Sequence, residues 1–289
     1  MNRGFLAACS LAAGLALTGC IGGNLGMPFE KTVDETRPLP VNGEFSLENT
    51  NGTVKLVTWD EPRVRIEAVK RAASESALEE LRVEIVGEGD RLSVRTRYPR
   101  PRWMGGSGKV DYRVSVPRGA RVRVSTVNGR VEVDGVGAAL SASTVNGSVD
   151  ITGAGGPVEA SAVNGSVDVV VARVDPSGRS ELSTTNGSVR LTLPREASAD
   201  VLAHTVNGSA GCDFDLANGS QSRRKIEGRI GSGGARFELG TVNGSAHIDR
   251  GLSATASRPQ AEAAPAPAAR YLRGQRPVPG LGRKTARPQ

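Results

Sequence analysis

Asn-Gly pairs recur along this chain, and each is followed by a short strand-like run. Three successive copies begin at Asn128, Asn146 and Asn164, a step of 18 residues taken twice. Looser copies follow at Asn186, Asn207 and Asn243, and an earlier one begins at Asn51. A fixed short period indicates stacked supersecondary units that share one core. Such a chain is expected to form an extended surface more readily than a pocket.

Apolar and polar residues alternate after each Asn-Gly pair. Val149 and Ile151 point to one side of the strand and Ser148 and Asp150 to the other, as a half-buried strand requires. Asn and Gly both tolerate positive φ, which predicts that each pair lies at a turn. Stacking the copies predicts one inner column, made of Val131, Val149, Val167, Val189, Ala210 and Ala246.

The copies repeat side-chain type position by position, as in-register strands about 4.8 Å apart require. The sequence therefore predicts an all-β fold over residues 41–250, a parallel β-solenoid with coils of about 18–22 residues. Because Asn-Gly also forms the type I′ turn of hairpins, an antiparallel β-meander is the alternative. In the solenoid, the asparagines are expected to form a structural ladder of hydrogen bonds at the turns. Its members are Asn128, Asn146, Asn164, Asn186, Asn207 and Asn243.

Two local signals precede the main repeat. Ser74 is a favourable helix N-cap, and Leu78 and Leu81 follow at helical spacing, so a short helix is predicted there. Residues 83–86 and 91–98 are strand-like and flank a segment rich in Gly and acidic residues, which is a hairpin signal.

The first 20 residues predict an export signal. Arg3 supplies a positive start, and residues 5–17 form an apolar run too short to span a bilayer as a mature helix. Leu17-Thr18-Gly19-Cys20 closes this run and resembles the lipobox of bacterial lipoproteins. The resemblance implies that residues 1–19 are cleaved off as a lipoprotein signal peptide. It also implies that Cys20 then carries acyl chains such as palmitate.

An acylated N-terminus would place the protein at a membrane of the cell envelope. Each buried methylene contributes about 0.8 kcal/mol, so several acyl chains hold a protein firmly at a bilayer. Ile21, rather than Asp, follows the cysteine and suggests outer-membrane sorting in a Gram-negative cell. We expect a membrane-anchored lipoprotein, periplasmic or surface-facing, with residues 20–40 as a lipidated polar tether.

The remaining cysteine and the two histidines predict no site of their own. Cys212 is left without a disulfide partner and falls five residues after its Asn, in the register of the apolar strand positions. This register predicts a small hydrophobic core residue, not a nucleophile. His204 and His247 lie outside any spaced ligand cluster, so no zinc or catalytic histidine is predicted. No cofactor is expected.

The basic charge of the chain is concentrated in its last residues. The formal net charge is +7, and the segment after Gly251 carries seven Lys and Arg against a single Glu. Because residues 251–289 are also rich in Pro and Ala, they are predicted to be a disordered tail. Such a tail is a candidate for contact with anionic lipid or a cell-wall polymer. The folded body is close to neutral, which predicts no nucleic-acid partner.

Further motifs accompany the repeat and point to a family. Val116-Pro117-Arg118-Gly119-Ala120 and Leu193-Pro194-Arg195-Glu196-Ala197 lead into copies, and Asn51-Gly52-Thr53-Val54 is followed by Trp59. With the repeated Thr-Val-Asn-Gly-Ser-Val strand, these segments resemble the bacterial putative-adhesin domain of unknown function over residues 41–250. The resemblance implies a right-handed parallel β-helix on an exported, often lipid-anchored protein. It brings no catalytic residues.

One constellation of acidic side chains is a weak candidate for a metal site. Glu132, Asp150 and Asp168 occupy equivalent outward positions on three successive copies. Stacked carboxylates about 5 Å apart repel one another, and a divalent cation would relieve that repulsion. The simpler interpretation is a solvated outer face diluted by neighbouring Arg and Ser, and no metal is predicted.

Two classes of function are compatible with these features. The first is a non-enzymatic, lipid-anchored envelope protein that presents a rigid solenoid surface for adhesion or to a protein or glycan ligand. The second is a β-helix enzyme acting on glycans, of the lyase or hydrolase type. Sugar sites usually offer aromatic rings, whereas this chain has 3% aromatic residues, with Trp59 and Trp103 outside the main repeat. This favours the first class, from which an envelope-stress sensor or scaffold is not separable by sequence.

Overall fold

The computed structural model describes residues 27–87, 89–98 and 108–251, and most of them lie in β-strands. The first nine strands are β1 (Phe29–Pro38), β2 (Glu44–Glu48), β3 (Val54–Trp59), β4 (Arg63–Ala72), β5 (Arg82–Val86), β6 (Arg91–Arg97), β7 (Lys109–Pro117), β8 (Arg121–Asn128) and β9 (Val131–Asp134). The next six are β10 (Leu140–Asn146), β11 (Val149–Ala154), β12 (Val158–Asn164), β13 (Val167–Val171), β14 (Arg179–Asn186) and β15 (Val189–Leu193). The last six are β16 (Ala199–Asn207), β17 (Ala210–Cys212), β18 (Ala217–Gln221), β19 (Lys225–Ile230), β20 (Ala235–Asn243) and β21 (Ala246–Arg250).

These strands form two large sheets. Sheet A has ten strands in the order β1-β4-β7-β3-β9-β11-β13-β15-β21-β17. Sheet B has eleven, in the order β18-β19-β16-β20-β14-β12-β10-β8-β2-β6-β5. Each Asn-Gly copy places one strand in sheet B, turns, and continues as a strand of sheet A, as β10 and β11 do. Copies pair in parallel, so the parallel arrangement is confirmed and the antiparallel meander is wrong for the repeat region.

The copies do not stack entirely in sequence order. In sheet B, β14 pairs with β20, and β16 pairs on the far side of β20, so the last two copies exchange places. The other end of the stack shows the same exchange, because β2 pairs with β8 and β6 lies outside β2. At the C-terminal end, the outer strand β16 comes before the inner strand β20 in the sequence. At the N-terminal end, the inner strand β2 comes before the outer strand β6.

Antiparallel strands cover three of the four sheet margins. At one end, β4 pairs with β7 and β1 pairs with β4 in sheet A, while β5 pairs with β6 in sheet B. At the other end, β19 pairs with β16 and β18 pairs with β19. Here sheet A ends in the three-residue strand β17. Short or covered edges leave few backbone groups free to pair with another chain.

The core consists of the inward-facing residues of both sheets. In the predicted inner column, Val131, Val149, Val167, Val189 and Ala246 are buried and Ala210 is half-buried. They pair in register in the order of the stack, so Ala210 follows Ala246 at the end. Burying a valine side chain fully is worth about 1.5–3 kcal/mol, and each copy adds such a residue to one continuous core.

The predicted tether contains the first strand of the fold. β1 pairs antiparallel with β4 along its full length, from Phe29 opposite Ala72 to Pro38 opposite Arg63. The prediction of a polar tether over residues 20–40 is therefore wrong for this strand, and the domain begins earlier than residue 41. Sequence alternation missed β1 because its residues are mostly exposed and polar. It is held by backbone pairing and ion pairs such as Arg71 with Glu30, 2.8 Å apart.

The predicted helix and hairpin are both present. The six-residue helix α1 (Glu75–Glu80) has Ser74 as its N-cap, and the Ser74 hydroxyl accepts a hydrogen bond from the Ala77 amide. The buried Lys70 ammonium donates to the Leu78 and Leu81 carbonyls at 3.2 and 2.7 Å, which satisfies the end of this helix. β5 and β6 pair antiparallel as the hairpin signal predicted. No described helix is long and apolar enough to cross a membrane.

Candidate binding surfaces

Seven of the Asn-Gly pairs place their asparagines in a single column along one turn of the stack. From Asn128 onward, each side-chain amide donates to the side-chain oxygen of the preceding asparagine in the column, over 2.8–3.0 Å. The order along the column is Asn51, Asn128, Asn146, Asn164, Asn186, Asn243 and Asn207. Bonded asparagines are 18 residues apart in the first copies and 22 apart from Asn164 to Asn186. Each asparagine inside the column donates one hydrogen bond and accepts one within it, which makes the column a structural ladder.

In five of the seven ladder pairs the glycine, and not the asparagine, adopts the unusual backbone conformation of positive φ. Gly147 has φ +153°, whereas no ladder asparagine has positive φ. A Cβ added to Gly147 would lie 2.0 Å from the Gly129 carbonyl oxygen of the neighbouring copy. The expectation that Asn occupies the turn for its positive φ is therefore wrong. Close approach of two backbones selects glycine.

A buried threonine two residues before the asparagine completes most of these turns. Its hydroxyl donates to the glycine carbonyl of the adjacent copy, as Thr144 does to Gly129 at 3.0 Å. Thr184, Thr205 and Thr241 make the equivalent bond at 2.8–2.9 Å. In one copy the position holds Ala162, which carries no hydroxyl. The residues of these turns therefore have a structural role. The surface that is open to partners lies beside this column.

A row of exposed valines runs beside the asparagine column. Each valine precedes its asparagine at the end of a sheet B strand, and its exposed fraction lies between 37% and 53%. In the order of the stack, the row consists of Val127, Val145, Val163, Thr185, Val242 and Val206, so one of its six positions holds a threonine. Because the strands are in register, the row is a regular apolar strip on a rigid support.

The predicted acidic column is present on the outer face of sheet A, but basic side chains accompany it. Asp150 lies opposite Glu132 on one neighbouring strand and opposite Asp168 on the other. Every one of these three carboxylates has a cationic partner. The partners are Lys55 at 3.7 Å from Glu132, Arg130 at 2.7 Å from Asp150 and Arg190 at 4.0 Å from Asp168. The repulsion that would favour a bound cation is therefore already offset.

A groove with arginines on both sides lies on the outer face of sheet B. Ala139 and Pro157 form its floor, because their short side chains lie in the same cross-strand row as the long side chains of Arg121 and Arg179. Arg121 and Arg179 are three strand spacings apart, about 14 Å. We call this region the arginine groove; its volume is about 380 Å³. Its polar side chains are Glu44, Arg121, Arg123, Ser141, Glu159 and Arg179.

Two of these arginines have no ionic partner among the described residues. Arg121 and Arg123 are exposed, and neither comes within ion-pair distance of a described carboxylate. Arg179 lies 3.5 Å from Glu238, and Arg91 takes up Glu44 at the same distance. The groove could not be predicted from the amino-acid sequence because its residues are spread over four strands. Short residues at outward positions, flanked by arginines in the same register, are the pattern that identifies it once the register is known.

The histidines lie in two different surroundings. His247 Nε2 is 3.2 Å from Asp213 Oδ1 and 3.2 Å from Asp249 Oδ1, so the prediction that His247 stands outside any ligand cluster is wrong. The exchange of the last two copies brings Asp213 beside β21, which no sequence spacing shows. His204 is exposed on sheet B and belongs to no such group among the described residues.

Cys212 takes the register that the sequence predicted. It pairs with Ile248, which itself pairs with Leu191, so it belongs to the apolar column of the last copy. Burial raises the pKa of the Cys212 thiol, so the thiol is a poor nucleophile. Cys20, the signal peptide, Trp103 and residues 252–289 of the predicted tail lie outside the described residues.

Several solved structures are similar to this chain at very low sequence identity. A putative cell adhesion protein from Clostridium sporogenes is 10% identical, with a TM-score of 0.44, over 76% of this chain and 100% of that one. A putative adhesin from Bacteroides fragilis is 9% identical, with a TM-score of 0.34, over 75% and 97% of the two chains. A putative lipid binding protein from Parabacteroides distasonis is 11% identical, with a TM-score of 0.29, over 76% and 96%.

No curated protein matches the chain. The model of the family described as Toastrack DUF4097 matches residues 42–249, which is most of the chain and nearly the whole solenoid. This match confirms the resemblance to the bacterial domain-of-unknown-function family. The ordered repeat, the two parallel sheets and this match together establish that the chain belongs to the Toastrack DUF4097 family.

Proposed function

We propose that this protein is a non-enzymatic, lipid-anchored protein of the cell envelope that binds an anionic glycan in the arginine groove. The observation that carries the proposal is the pair of exposed arginines, Arg121 and Arg123, which have no ionic partner among the described residues. A right-handed winding with coils of about 18–22 residues belongs to the same proposal.

Arginine is well suited to this task. Its planar guanidinium binds carboxylate or phosphate groups through two parallel hydrogen bonds. Arg121 and Arg123 stand on one side of the groove and Arg179 on the other, so one chain with repeated negative groups can contact both sides. Glu159 and Ser141 supply hydroxyl-binding groups between them. An extended carboxylated sugar chain can enter a groove of this size, whereas a flat anionic bilayer cannot reach its floor.

The backbone of the groove supports binding through side chains. The strands beneath it, β8, β10, β12 and β14, are each paired on both sides, so an extended peptide cannot add to them as another strand. In-register pairing also keeps the arginines at fixed separations, which lowers the entropy cost of binding.

A binding assay with matched variants tests the glycan proposal. Purified protein is titrated with oligomers of galacturonic acid and, separately, with neutral galactose oligomers of the same length. We expect binding of the acidic oligomer that weakens at high salt and is at least about tenfold weaker in R121Q/R123Q. Arg113→Gln, an exposed arginine on sheet A, is the control and should bind as wild type does. Equal binding of neutral oligomers, or equal loss in the control, would contradict the proposal.

The lipid anchor is tested separately. Cells expressing wild type or Cys20→Ser are labelled with an alkynyl fatty acid and fractionated. We expect the label and membrane association of the wild type to be lost in the variant, because the thiol that carries the acyl chain is absent. Label of equal strength on both proteins would show that Cys20 is not the acylated residue.

A further inference from the structure

The last copy of the solenoid brings three possible metal ligands together. Strand β17, at the edge of sheet A, pairs in parallel with β21, and Asp213 follows β17 directly. The Asp213 amide donates to the Ile248 carbonyl at 2.9 Å, which fixes its position beside β21. His247 and Asp249 lie two residues apart on β21 and therefore share its outer face.

The distances in this group fit a small divalent cation. His247 Nε2 is 3.2 Å from one oxygen of each aspartate, and a ligand atom of each residue lies within 4.8 Å of the others. Two ligands bound to zinc at 2.0–2.1 Å in a tetrahedral arrangement are about 3.3 Å apart. Nitrogen and oxygen atoms at this separation can therefore bind one ion with little movement.

The surroundings of the group hold its members in place. A Cβ on Gly211 would lie 2.3 Å from His247 Nδ1, so the imidazole occupies space that any other residue on the edge strand would fill. Arg190 Nε lies 3.2 Å from Asp249 Oδ2 and leaves Oδ1 directed at the histidine. Support of this kind orients ligating carboxylates in metal sites. The side chains of Asp213, His247 and Asp249 are 30–52% exposed, so an ion can reach them.

We propose that Asp213, His247 and Asp249 bind a first-row transition-metal dication, with zinc as the representative ion. An imidazole ligand selects zinc-like ions over calcium and magnesium, which prefer oxygen ligands. Three protein ligands leave a further coordination position open to solvent. This site goes beyond the proposed glycan binding and does not depend on it, since the arginine groove lies on the other sheet.

The proposed ion would tie β17 to β21 at the free edge of sheet A. Because a ligand that binds the folded state alone stabilises that state, zinc should raise the melting temperature. The acidic column of Glu132, Asp150 and Asp168 differs from this site, because it has no imidazole and each of its carboxylates has a cationic Lys or Arg partner. In the proposed site Arg190 pairs with Asp249, through the oxygen that faces away from the histidine.

Calorimetric titration of the untagged protein with zinc chloride, after treatment with a chelator, tests the proposal. The chain contains two histidines, so a matched control exists in His204. We expect one zinc per chain in the wild type and in His204→Gln. We expect at least about tenfold weaker binding in His247→Gln and in Asp213→Asn. Thermal melts in chelator establish that each variant folds, and the melting temperature should rise with zinc in the wild type and in His204→Gln alone.

Three outcomes would overturn the metal site. They are no zinc binding by the wild type, binding that survives His247→Gln, and equal loss of binding in His204→Gln. R121Q/R123Q should bind zinc as wild type does, so failure of the glycan proposal leaves this test unaffected. Conversely, loss of zinc binding should leave binding of galacturonic acid oligomers unchanged.

Discussion

At the scale of single residues, the Asn-Gly turn depends on three side chains with different roles. The asparagine bonds to the asparagines above and below it, and the glycine lets two backbones approach. A threonine hydroxyl two residues earlier satisfies a glycine carbonyl of the adjacent copy. Each of these three residue types therefore acts at the contact between stacked copies, and none of the three interactions forms within an isolated turn.

Gly147→Ala should be among the most destabilising small substitutions in the repeat. Its Cβ would lie 2.0 Å from a backbone oxygen that is fixed in the stack, and φ is +153°. We expect a loss of about 3 kcal/mol or more in the free energy of unfolding. The control is Gly89→Ala, where φ is +70° but no atom lies within 4 Å, and it should lose about 1 kcal/mol. Similar losses in denaturant titrations would show that close approach does not matter.

The assignment of strand faces gives a second prediction. Val149 is fully buried, whereas Asp150 faces outward and pairs with Arg130. Val149→Asp should cost about 3 kcal/mol or more, because it buries an unpaired charge. Asp150→Asn should cost under about 1 kcal/mol, since the ion pair it weakens is largely exposed. Thermal melts distinguish the two, and comparable losses would invalidate the assigned faces.

At the scale of elements, the threonine positions form a column with one gap at Ala162, and the buried hydroxyl of Thr126 in this column has no hydrogen-bond partner among the described residues. Ala162 lies between Thr144 and Thr184 in register, and both of those hydroxyls donate to a glycine carbonyl of the adjacent copy. The equivalent acceptor for residue 162 is the carbonyl of Gly147. A column is stabilised when each member has its partner, so the gap is a place where stability can be gained.

Ala162→Thr should therefore stabilise the protein. A new hydroxyl in this register can donate to the Gly147 carbonyl, and a buried hydrogen bond contributes about 1 kcal/mol. Ala162→Val is the control because it has the same shape without the hydroxyl. We expect the threonine variant to unfold at higher denaturant concentration than the valine variant. If valine stabilises as much as threonine, the gain comes from packing and the hydrogen bond is not formed.

The antiparallel strands at the ends act as covers for the sheet edges. Ile226 on β19 is fully buried and anchors this strand on β16. Ile226→Asp should detach β19 and expose β16, whose unpaired backbone then recruits other molecules. We expect dimers or larger species by size-exclusion chromatography with light scattering. Glu227→Gln, at an exposed position of the same strand, should keep the oligomeric state of the wild type. If β19 had no covering role, Ile226→Asp would keep that state too.

At the scale of the whole molecule, nearly every strand pairs with one that is distant in sequence. Tyr112 illustrates this, because its hydroxyl lies 2.6 Å from Thr96 Oγ1 in the buried interior near one end of the stack. Burial raises the pKa of Tyr112 and also that of Tyr98. The protonation of two tyrosines is thus coupled to folding of the domain.

These tyrosines predict loss of stability at alkaline pH. In the unfolded chain a tyrosine titrates near pH 10, whereas the folded state holds its proton to higher pH. The unfolded state therefore binds fewer protons above about pH 10, and stability falls as pH rises there. The free energy of unfolding of Tyr112→Phe should fall less steeply above pH 10 than that of the wild type, whatever the stability of the variant at neutral pH. Parallel slopes for both proteins in denaturant titrations would show that Tyr112 does not contribute.

Features that depend on local periodicity could be predicted from the order of the amino acids. Alternation after each Asn-Gly pair determined which residues are buried, as the buried Val149 beside the outward Asp150 shows. The spacing of 18 residues indicated parallel stacking, and Ser74 predicted the start of α1. These properties follow from one strand or one turn at a time, where backbone geometry and side-chain type act directly on their neighbours.

Tertiary structure alone decided the order of the copies and the sites that depend on it. The exchange of the last two copies places Asp213 beside His247, and the covering strand β1 arises from backbone pairing that polar residues do not signal. The arginine groove likewise joins Arg121 to Arg179 across four strands of one sheet. Periodicity is the same for every order of equivalent copies, so it cannot choose among them.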